Sequence, residues 1–388
     1  MSVSTTAPAA VGASISTSYR DLVAAVKAVG LLAGGTRPAF PNIEVAAADQ
    51  TLTLTSADTE SAVSVTVAGS ITGDEQRVMV SWAELSKLLP AAVKGTSKRQ
   101  LDQLDINIDM TGESLTLGVA GYELPVTVAP EAQLPDMPAT TPGTHVVDRD
   151  EFAAMFTRVV AAACTDELLR TFTMVSTDMT ADSLTLTATD RYRMSRGSVA
   201  CNGTAEQSVL LPGALIAKLL PFCDGDQITL GTDGEKAEWI TLHSGSLTVK
   251  IHAHDGSFPR ITHLFDMHNA DTATVDRAEF RTAADRAKAL TAVLADRNTA
   301  ARIIVAPGTL TVAPGTRDDA RTAAPSITAD THVDGTWTGG ANPTYLVEAV
   351  AHLTGETVTL EFTAPGKPIK LTGDDTFEHV LMLMRLPQ

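Results

Sequence analysis

The chain has 388 residues, is 44% hydrophobic and 4% aromatic, and carries a formal net charge of −17. That length suits two to four domains, and no apolar run approaches the length needed to span a membrane. Taken as a sum, the acidity argues against nucleic acid as a partner. The few aromatics argue against stacking platforms for single-stranded bases. Three cysteines without a Cys-x-x-Cys pair point to reduced thiols in a cytoplasm, not to a disulfide framework or a zinc site.

In chain order, residues 1–15 lack the basic start and apolar block of a signal peptide and read as a disordered tail. Residues 18–30 read as a helix through Leu22, Val26 and Val29, and 81–89 as a shorter one. Between and after them the apolar period drops to two. Leu104, Ile106, Ile108 and Met110 alternate with polar residues, as do Leu115 and Leu117. Around 151–163, Phe152, Met155, Phe156, Val159 and Val160 keep i, i+3, i+4, i+7, i+8 spacing and share one helix face, with Arg158 outside it. Residues 212–220 give another short helix. Leu247, Val249 and Ile251 alternate again. Residues 276–296 read as a helix through Phe280, Ala284 and Ala287, and 343–352 as its short companion. Val358, Leu360 and Phe362 alternate as a strand. The sum is α+β, with antiparallel sheet on one side and a few helices on the other.

The elements recur. Leu52-Thr53-Leu54-Thr55 followed by Asp58 returns 132 residues later as Leu184-Thr185-Leu186-Thr187 followed by Asp190. Lys87-Leu88-Leu89-Pro90 returns as Lys218-Leu219-Leu220-Pro221, and Asp148-Arg149-Asp150-Glu151-Phe152 as Asp276-Arg277-Ala278-Glu279-Phe280. Landmarks in one order at nearly one offset describe three similar domains, each built of two halves. The expected boundaries are 16–142, 143–266 and 267–388. Strand-rich units need their edges covered. Three in a row let each edge meet the next, and a sufficiently curved array would close on a second copy.

No catalytic constellation stands out. His252 and His254 share a strand face without a third ligand at suitable spacing, which favours ordinary polar alternation over a metal pair. Asp190 beside Arg191 and Arg193 suits a structural salt bridge or turn better than an acid–base site. A hydrolase or metal enzyme using these residues is one competing reading, and a repeat-built scaffold that binds only proteins is another. The acidity is unevenly spread. The helical windows are weakly basic and the remainder carries the acidic excess. Arg20, Lys27, Lys98 and Arg158 are among the cations that would form a phosphate-touching surface that reads no bases.

Four segments carry a resemblance: Leu186-Thr187-Ala188-Thr189-Asp190-Arg191-Tyr192-Arg193-Met194, Ser257-Phe258-Pro259-Arg260, Asn342-Pro343-Thr344-Tyr345-Leu346, and the terminal Val380-Leu381-Met382-Leu383-Met384-Arg385-Leu386. With Gly34-Gly35-Thr36-Arg37-Pro38 they stand in the order found in the bacterial sliding clamp, the beta subunit of DNA polymerase III, which the chain resembles over about residues 16–386. The resemblance implies a head-to-tail dimeric ring of the DNA clamp fold, with twelve helices around duplex DNA. It implies no catalysis and no cofactor, a replisome location in the bacterial cytoplasm, and a peptide pocket for polymerase, clamp loader and repair proteins. The matching pocket positions are Phe172, Thr189, Arg191, Tyr192, Arg193, Met194, Pro259, Leu264, Asn342, Tyr345, Val380, Met382, Leu383, Met384, Arg385 and Leu386. Arg37 is the expected DNA contact from the loop, with Arg20, Lys27 and Lys98 added from charge. The expected dimer seam joins the strand of Leu115 and Leu117 to the helix of Val293 and Leu294. Arg191 departs from the small residue usual in the family, Met194 from its Leu, and Leu383 from its Pro, as in a divergent or phage-like member.

Overall fold

The computed structural model describes residues 12–34, 38–233, 237–254, 256–295, 299–316 and 322–386. The first third of the chain runs β1 (Ala13–Ser18), α1 (Tyr19–Ala33), β2 (Asn42–Ala48), β3 (Thr51–Ala57), β4 (Ser61–Gly73), β5 (Gln76–Ser81), α2 (Trp82–Ala92), α3 (Lys98–Leu101), β6 (Asp105–Thr111), β7 (Ser114–Val119) and β8 (Tyr122–Val126). The second runs β9 (His145–Asp148), α4 (Arg149–Val160), α5 (Arg170–Thr173), β10 (Met174–Met179), β11 (Ser183–Thr189), β12 (Arg193–Gly203), β13 (Gln207–Pro212), α6 (Gly213–Leu219), β14 (Gln227–Thr232), β15 (Trp239–Ser244) and β16 (Leu247–His252). The third runs β17 (Asp271–Asp276), α7 (Arg277–Leu294), β18 (Ala301–Ala306), β19 (Thr309–Ala313), β20 (Ser326–His332), β21 (Trp337–Ala341), α8 (Pro343–His352), β22 (Thr357–Phe362), β23 (Ile369–Thr372) and β24 (Glu378–Leu381). Leaving aside the four-residue α3 and α5 and three single 3-10 turns, each third has, among the described residues, eight strands and two helices in the same order.

The residues explain these elements locally. Ser18, Ser81 and Asp276 end a strand and cap the next helix, each side chain accepting from the backbone N–H three residues on, Asp21, Glu84 and Glu279. In β3 and β11, Leu52, Leu54, Leu184 and Leu186 are fully buried while the intervening threonines face outward. The repeated aspartate closes the following hairpin in the same way both times. Asp58 Oδ1 accepts from Glu60 and Ser61 N–H, and Asp190 Oδ1 from Tyr192 and Arg193 N–H. A third copy of the strand, Leu310-Thr311-Val312 in β19, went unnoticed in the sequence because its second leucine is a valine.

The chain forms two compact units, residues 1–150 with 218–253, and residues 151–217 with 254–388. In the first, eight antiparallel strands lie in the order β5-β2-β3-β4-β16-β15-β14-β9. Its second sheet continues from the far half of β4 through β1, β6 and β7 to β8. The other unit repeats the long sheet strand for strand, β13-β10-β11-β12-β24-β23-β22-β17, and adds β20. Strand β20 then passes into a sheet with β19, β18 and β21. In each unit the last strand of one third zips onto the fourth strand of the preceding third: β16 onto β4, and β24 onto β12. This pairing is as continuous as that within a third, so the compact units cut across the middle of the repeat.

Helix α1 packs on β3, β4 and α2, burying Leu22, Val26 and Val29, and α7 packs on α8, β19 and β17, burying Phe280, Ala284 and Ala287. The amino-terminal expectation needs one correction. Strand β1 begins at Ala13 and pairs on both sides, with β4 and β6, so an ordered strand occupies part of what reads as tail. Residues 1–11 lie outside the described residues. No helix among the described residues is long and apolar enough to cross a membrane.

Candidate functional site

The segments expected to form the pocket all fall in the second unit. Its centre is the hairpin turn between β11 and β12. Thr189, 1% exposed, donates its hydroxyl to the Arg193 carbonyl (2.8 Å) and accepts the Arg191 N–H (3.0 Å). It holds the turn and offers little surface. Arg193 Nε donates to Asp190 Oδ2 (3.0 Å), its Nη1 pairs with the Glu348 carboxylate, and its guanidinium lies 4.5 Å from the Tyr345 ring centroid. Asp190 is the structural salt bridge and turn residue that its sequence setting favoured, with both carboxylate oxygens engaged. Burial, with the nearby Asp190 charge, pushes the Tyr345 phenol up from its ordinary value.

Beside the turn, β24 places Leu381 opposite Arg193 and Val380 opposite Met194. Met194, Val380 and Phe265 form a buried apolar cluster, and Ile261, Leu264 and Met267 pack over it. Phe265 is held from two sides, its carbonyl accepting from Lys370 Nζ (3.1 Å) and its ring covered by Arg196 at 4.3 Å. Met194 and Val380 are thus a floor beneath Leu264, not an open surface. Pro259 begins the segment that delivers these residues, its carbonyl accepting from Ile261 N–H (2.9 Å).

The chain then leaves β24 along the turn. Met382 N–H donates to Tyr192 O (2.9 Å) and Met384 N–H to Gly340 O (2.7 Å). The terminal segment lies so close to β21 that a Cβ on Gly339 would come within 2.7 Å of Leu383 Cδ1, and one on Gly340 within 2.8 Å of Leu386 Cδ2. Asn342 caps α8, its Oδ1 accepting from Thr344 (2.9 Å) and Tyr345 (3.4 Å) N–H, and so aims the Tyr345 and Glu348 face of that helix. Tyr192 is 57% and Met382 37% exposed, large apolar side chains left open beside the turn. Arg191 and Arg385 are exposed, and Arg191 lies over Phe172 at 5.7 Å and Tyr192 at 5.9 Å. Phe265, Ile261, Glu348 and the glycine pair escaped the sequence reading. Glu348 had a signal, three residues after Tyr345 on one helix face; Phe265 had none.

The remaining candidates divide. Arg20 and Lys27 are exposed on α1, and Lys98 is exposed in α3. Arg37 lies outside the described residues. Arg158 is a correction. Its side chain is 14% exposed, bonded to Asp375 (2.5 Å) and to His352 O (2.6 Å), and stacked on Phe377 at 4.3 Å. It is a structural cation, not a phosphate ligand. Burial raises the Asp375 carboxyl, but hydrogen bonds from Arg158 and the Phe377 N–H outweigh it and hold the group below its usual range. Leu115 and Leu117 are a second correction, at 2% and 1% exposure on β7, which β6 and β8 flank on both sides. Among the described residues the open edge belongs to β8. Val293, Leu294 and Leu290 are exposed apolar residues on α7, at 81%, 45% and 47%. Beside them a cleft of about 580 Å³ runs between α7 and residues 323–328. His252 makes an edge contact with Trp239, and His254 Nε2 lies 3.1 Å from Thr171 Oγ1. Among the described residues no group of three or more His, Cys, Asp or Glu could hold a metal ion.

This arrangement superposes on solved sliding clamps over nearly the whole chain. A crystal structure of the DNA polymerase III beta subunit from Thermotoga maritima superposes with a TM-score of 0.83 at 17% identity, covering 97% of this chain and all of that one. A Pseudomonas aeruginosa sliding clamp bound to griselimycin gives 0.82 at 18%, with the same coverage. Family models for the DNA polymerase III beta subunit match residues 146–260 (central domain) and 262–385 (C-terminal domain). A curated beta sliding clamp from Streptomyces coelicolor is 26% identical over 366 residues, 90% of this chain and 92% of that protein. The chain belongs to the bacterial sliding-clamp family, that of the DNA polymerase III beta subunit.

Proposed function

We propose that the chain works as a non-catalytic clamp that closes around duplex DNA as a head-to-tail dimer and tethers the replicative polymerase. One observation carries the reading. The last strand of the second third covers the fourth strand of the first, and the last strand of the third covers the fourth of the second. Among the described residues the last strand of the first third, β8, pairs with β7 alone, and the stretch Ser326–Thr328 of β20 pairs with β19 on one side only, before Ala329–His332 pass to β17. The cleft beside residues 323–328, rimmed by Leu290 on α7, is where a partner copy's β8 completes the series. Two such junctions close a ring with no loose sheet edge.

In this reading the chain comprises three clamp domains, about 13–142, 143–266 and 267–386, and works in the bacterial cytoplasm at the replisome. The exposed Arg20, Lys27 and Lys98 contact phosphates weakly and without base readout, which suits sliding. The acidic remainder opposes adhesion of DNA elsewhere. Polymerase, clamp loader and repair proteins dock short extended peptides on the surface around Tyr192, Tyr345 and Met382, where an apolar anchor meets pliable Met and Leu side chains. Light scattering on the pure protein tests the closure. Twice 40.7 kDa is the expected mass, and a monomer at micromolar concentration would refute it.

A further inference from the structure

We propose that Arg191 is a specificity residue that selects partner peptides bearing a carboxylate beside their apolar anchors. This rests on the peptide-docking reading of the surface around Tyr192 and Met382. The first observation is strain. Arg191 sits at φ +80°, a left-handed conformation that suits glycine and disfavours residues with side chains. The turn does not demand it. The matching turn of the first unit makes the same pair of aspartate bonds, Asp58 to Glu60 and Ser61, with Thr59 outside the left-handed region. A strained residue that its turn does not require points to use of its side chain.

The second observation is charge. Of the two arginines in the turn, Arg193 is 12% exposed and neutralised by Asp190 and Glu348. Arg191 is exposed, and among the described residues no carboxylate pairs with it. Within the turn, Arg191 is therefore the arginine whose charge is not neutralised. The third observation is placement. The guanidinium spans the Phe172 and Tyr192 rings, which steadies it while leaving N–H groups at its rim free to grip a carboxylate in the paired geometry arginine favours. Exposed Tyr192 and Met382 adjoin each other through the Met382 N–H to Tyr192 O bond. An extended peptide anchored there by an apolar side chain brings a neighbouring side chain to Arg191. Charge complementarity makes that side chain Asp or Glu.

The test uses the full-length protein and labelled hexapeptides carrying one Leu and one Phe anchor. Asp, Asn or Lys is placed in turn at each remaining position, and binding is read by fluorescence anisotropy at low and high salt. In the wild type, Asp at one position should improve affinity over Asn by about 5-fold, with Lys weaker than Asn and the preference shrinking in salt. In Arg191→Gly and Arg191→Gln the Asp-to-Asn ratio should fall to within 2-fold. Arg191→Gly suits φ +80°, so folding is retained, and circular dichroism checks it. Binding with no Asp preference, or a preference that survives both substitutions, overturns the proposal and leaves the docking surface standing. If no peptide binds, or if binding ignores Tyr345→Ala, the docking reading fails and takes the proposal with it. If Arg191→Gly weakens retention on duplex DNA and leaves the peptide ratio unchanged, Arg191 is a phosphate contact and the proposal is overturned.

Discussion

His379 should make the second unit acid-labile. The ring is fully buried in β24, its Nδ1 2.8 Å from Ser195 Oγ, with no partner for Nε2 among the described residues. Burial, with the Arg193 and His352 charges, depresses its pKa to about 3. The group therefore stays neutral in the fold and ionises near its ordinary value of about 6.5 once unfolded. A depressed folded pKa contributes stability that is complete above the unfolded value and is lost as pH falls towards 3. Between pH 7.5 and pH 5 linkage gives a loss of about 2 kcal/mol from this residue alone. Urea unfolding followed by circular dichroism at pH 7.5, 6.5, 5.5 and 5.0 measures it, provided the dependence on urea concentration keeps one slope. His379→Phe keeps an aromatic ring beside Phe377 and removes the titration. It should cost some stability at pH 7.5, through Ser195, yet flatten the pH dependence by about 2 kcal/mol relative to wild type. Equal pH dependence in the two proteins would refute the assignment.

Gly340→Ala should lift the terminal segment off β21. Its Cβ would lie 2.8 Å from the Met384 carbonyl oxygen, and overpacking of this kind costs about 1–3 kcal/mol. Anisotropy should show peptide affinity falling by about 10-fold, while Gly112→Ala, with nothing within 4 Å of its new Cβ, binds as wild type. Arg158→Ala should destabilise the fold by about 3 kcal/mol in thermal or urea melts, because it strands Asp375 and the His352 carbonyl. The exposed pair Arg20→Glu and Lys27→Glu should leave the melts alone and reduce the salt dependence of DNA binding by about one unit of slope per lost phosphate contact. Val293→Asp should yield monomers by light scattering without loss of helix content, since Val293 is 81% exposed and no intramolecular packing depends on it.

Much of the architecture was legible because it is local and repeated. Leu52, Leu54 and Asp58 and their counterparts Leu184, Leu186 and Asp190 announce a strand and its turn by alternation and by one capping aspartate, and the structure builds both copies alike. What the sequence hid depends on partners far along the chain. Arg158 lies outside the apolar stripe of its helix and so looks solvent-facing, but Asp375, 217 residues away, buries it. Leu115 and Leu117 mark a strand with one buried face, yet only the pairings reveal that β8, not β7, is the edge. In the candidate site, motif residues near the turn were legible as a set, whereas their division of labour was not. Thr189 and Asn342 hold backbone, Met194 and Val380 lie beneath a lid, and Tyr192, Met382 and Arg191 remain open.

Closure around DNA is a topological property, and circular against linear DNA tests it directly. The protein is loaded on a nicked circular plasmid with a bacterial clamp loader, freed of unbound protein by gel filtration, and the plasmid is then cut once. A closed ring co-elutes stably with the circle and is released rapidly after the cut, at a salt concentration where phosphate contacts alone do not hold. Equal retention on circular and linear DNA, or none on either, would contradict it.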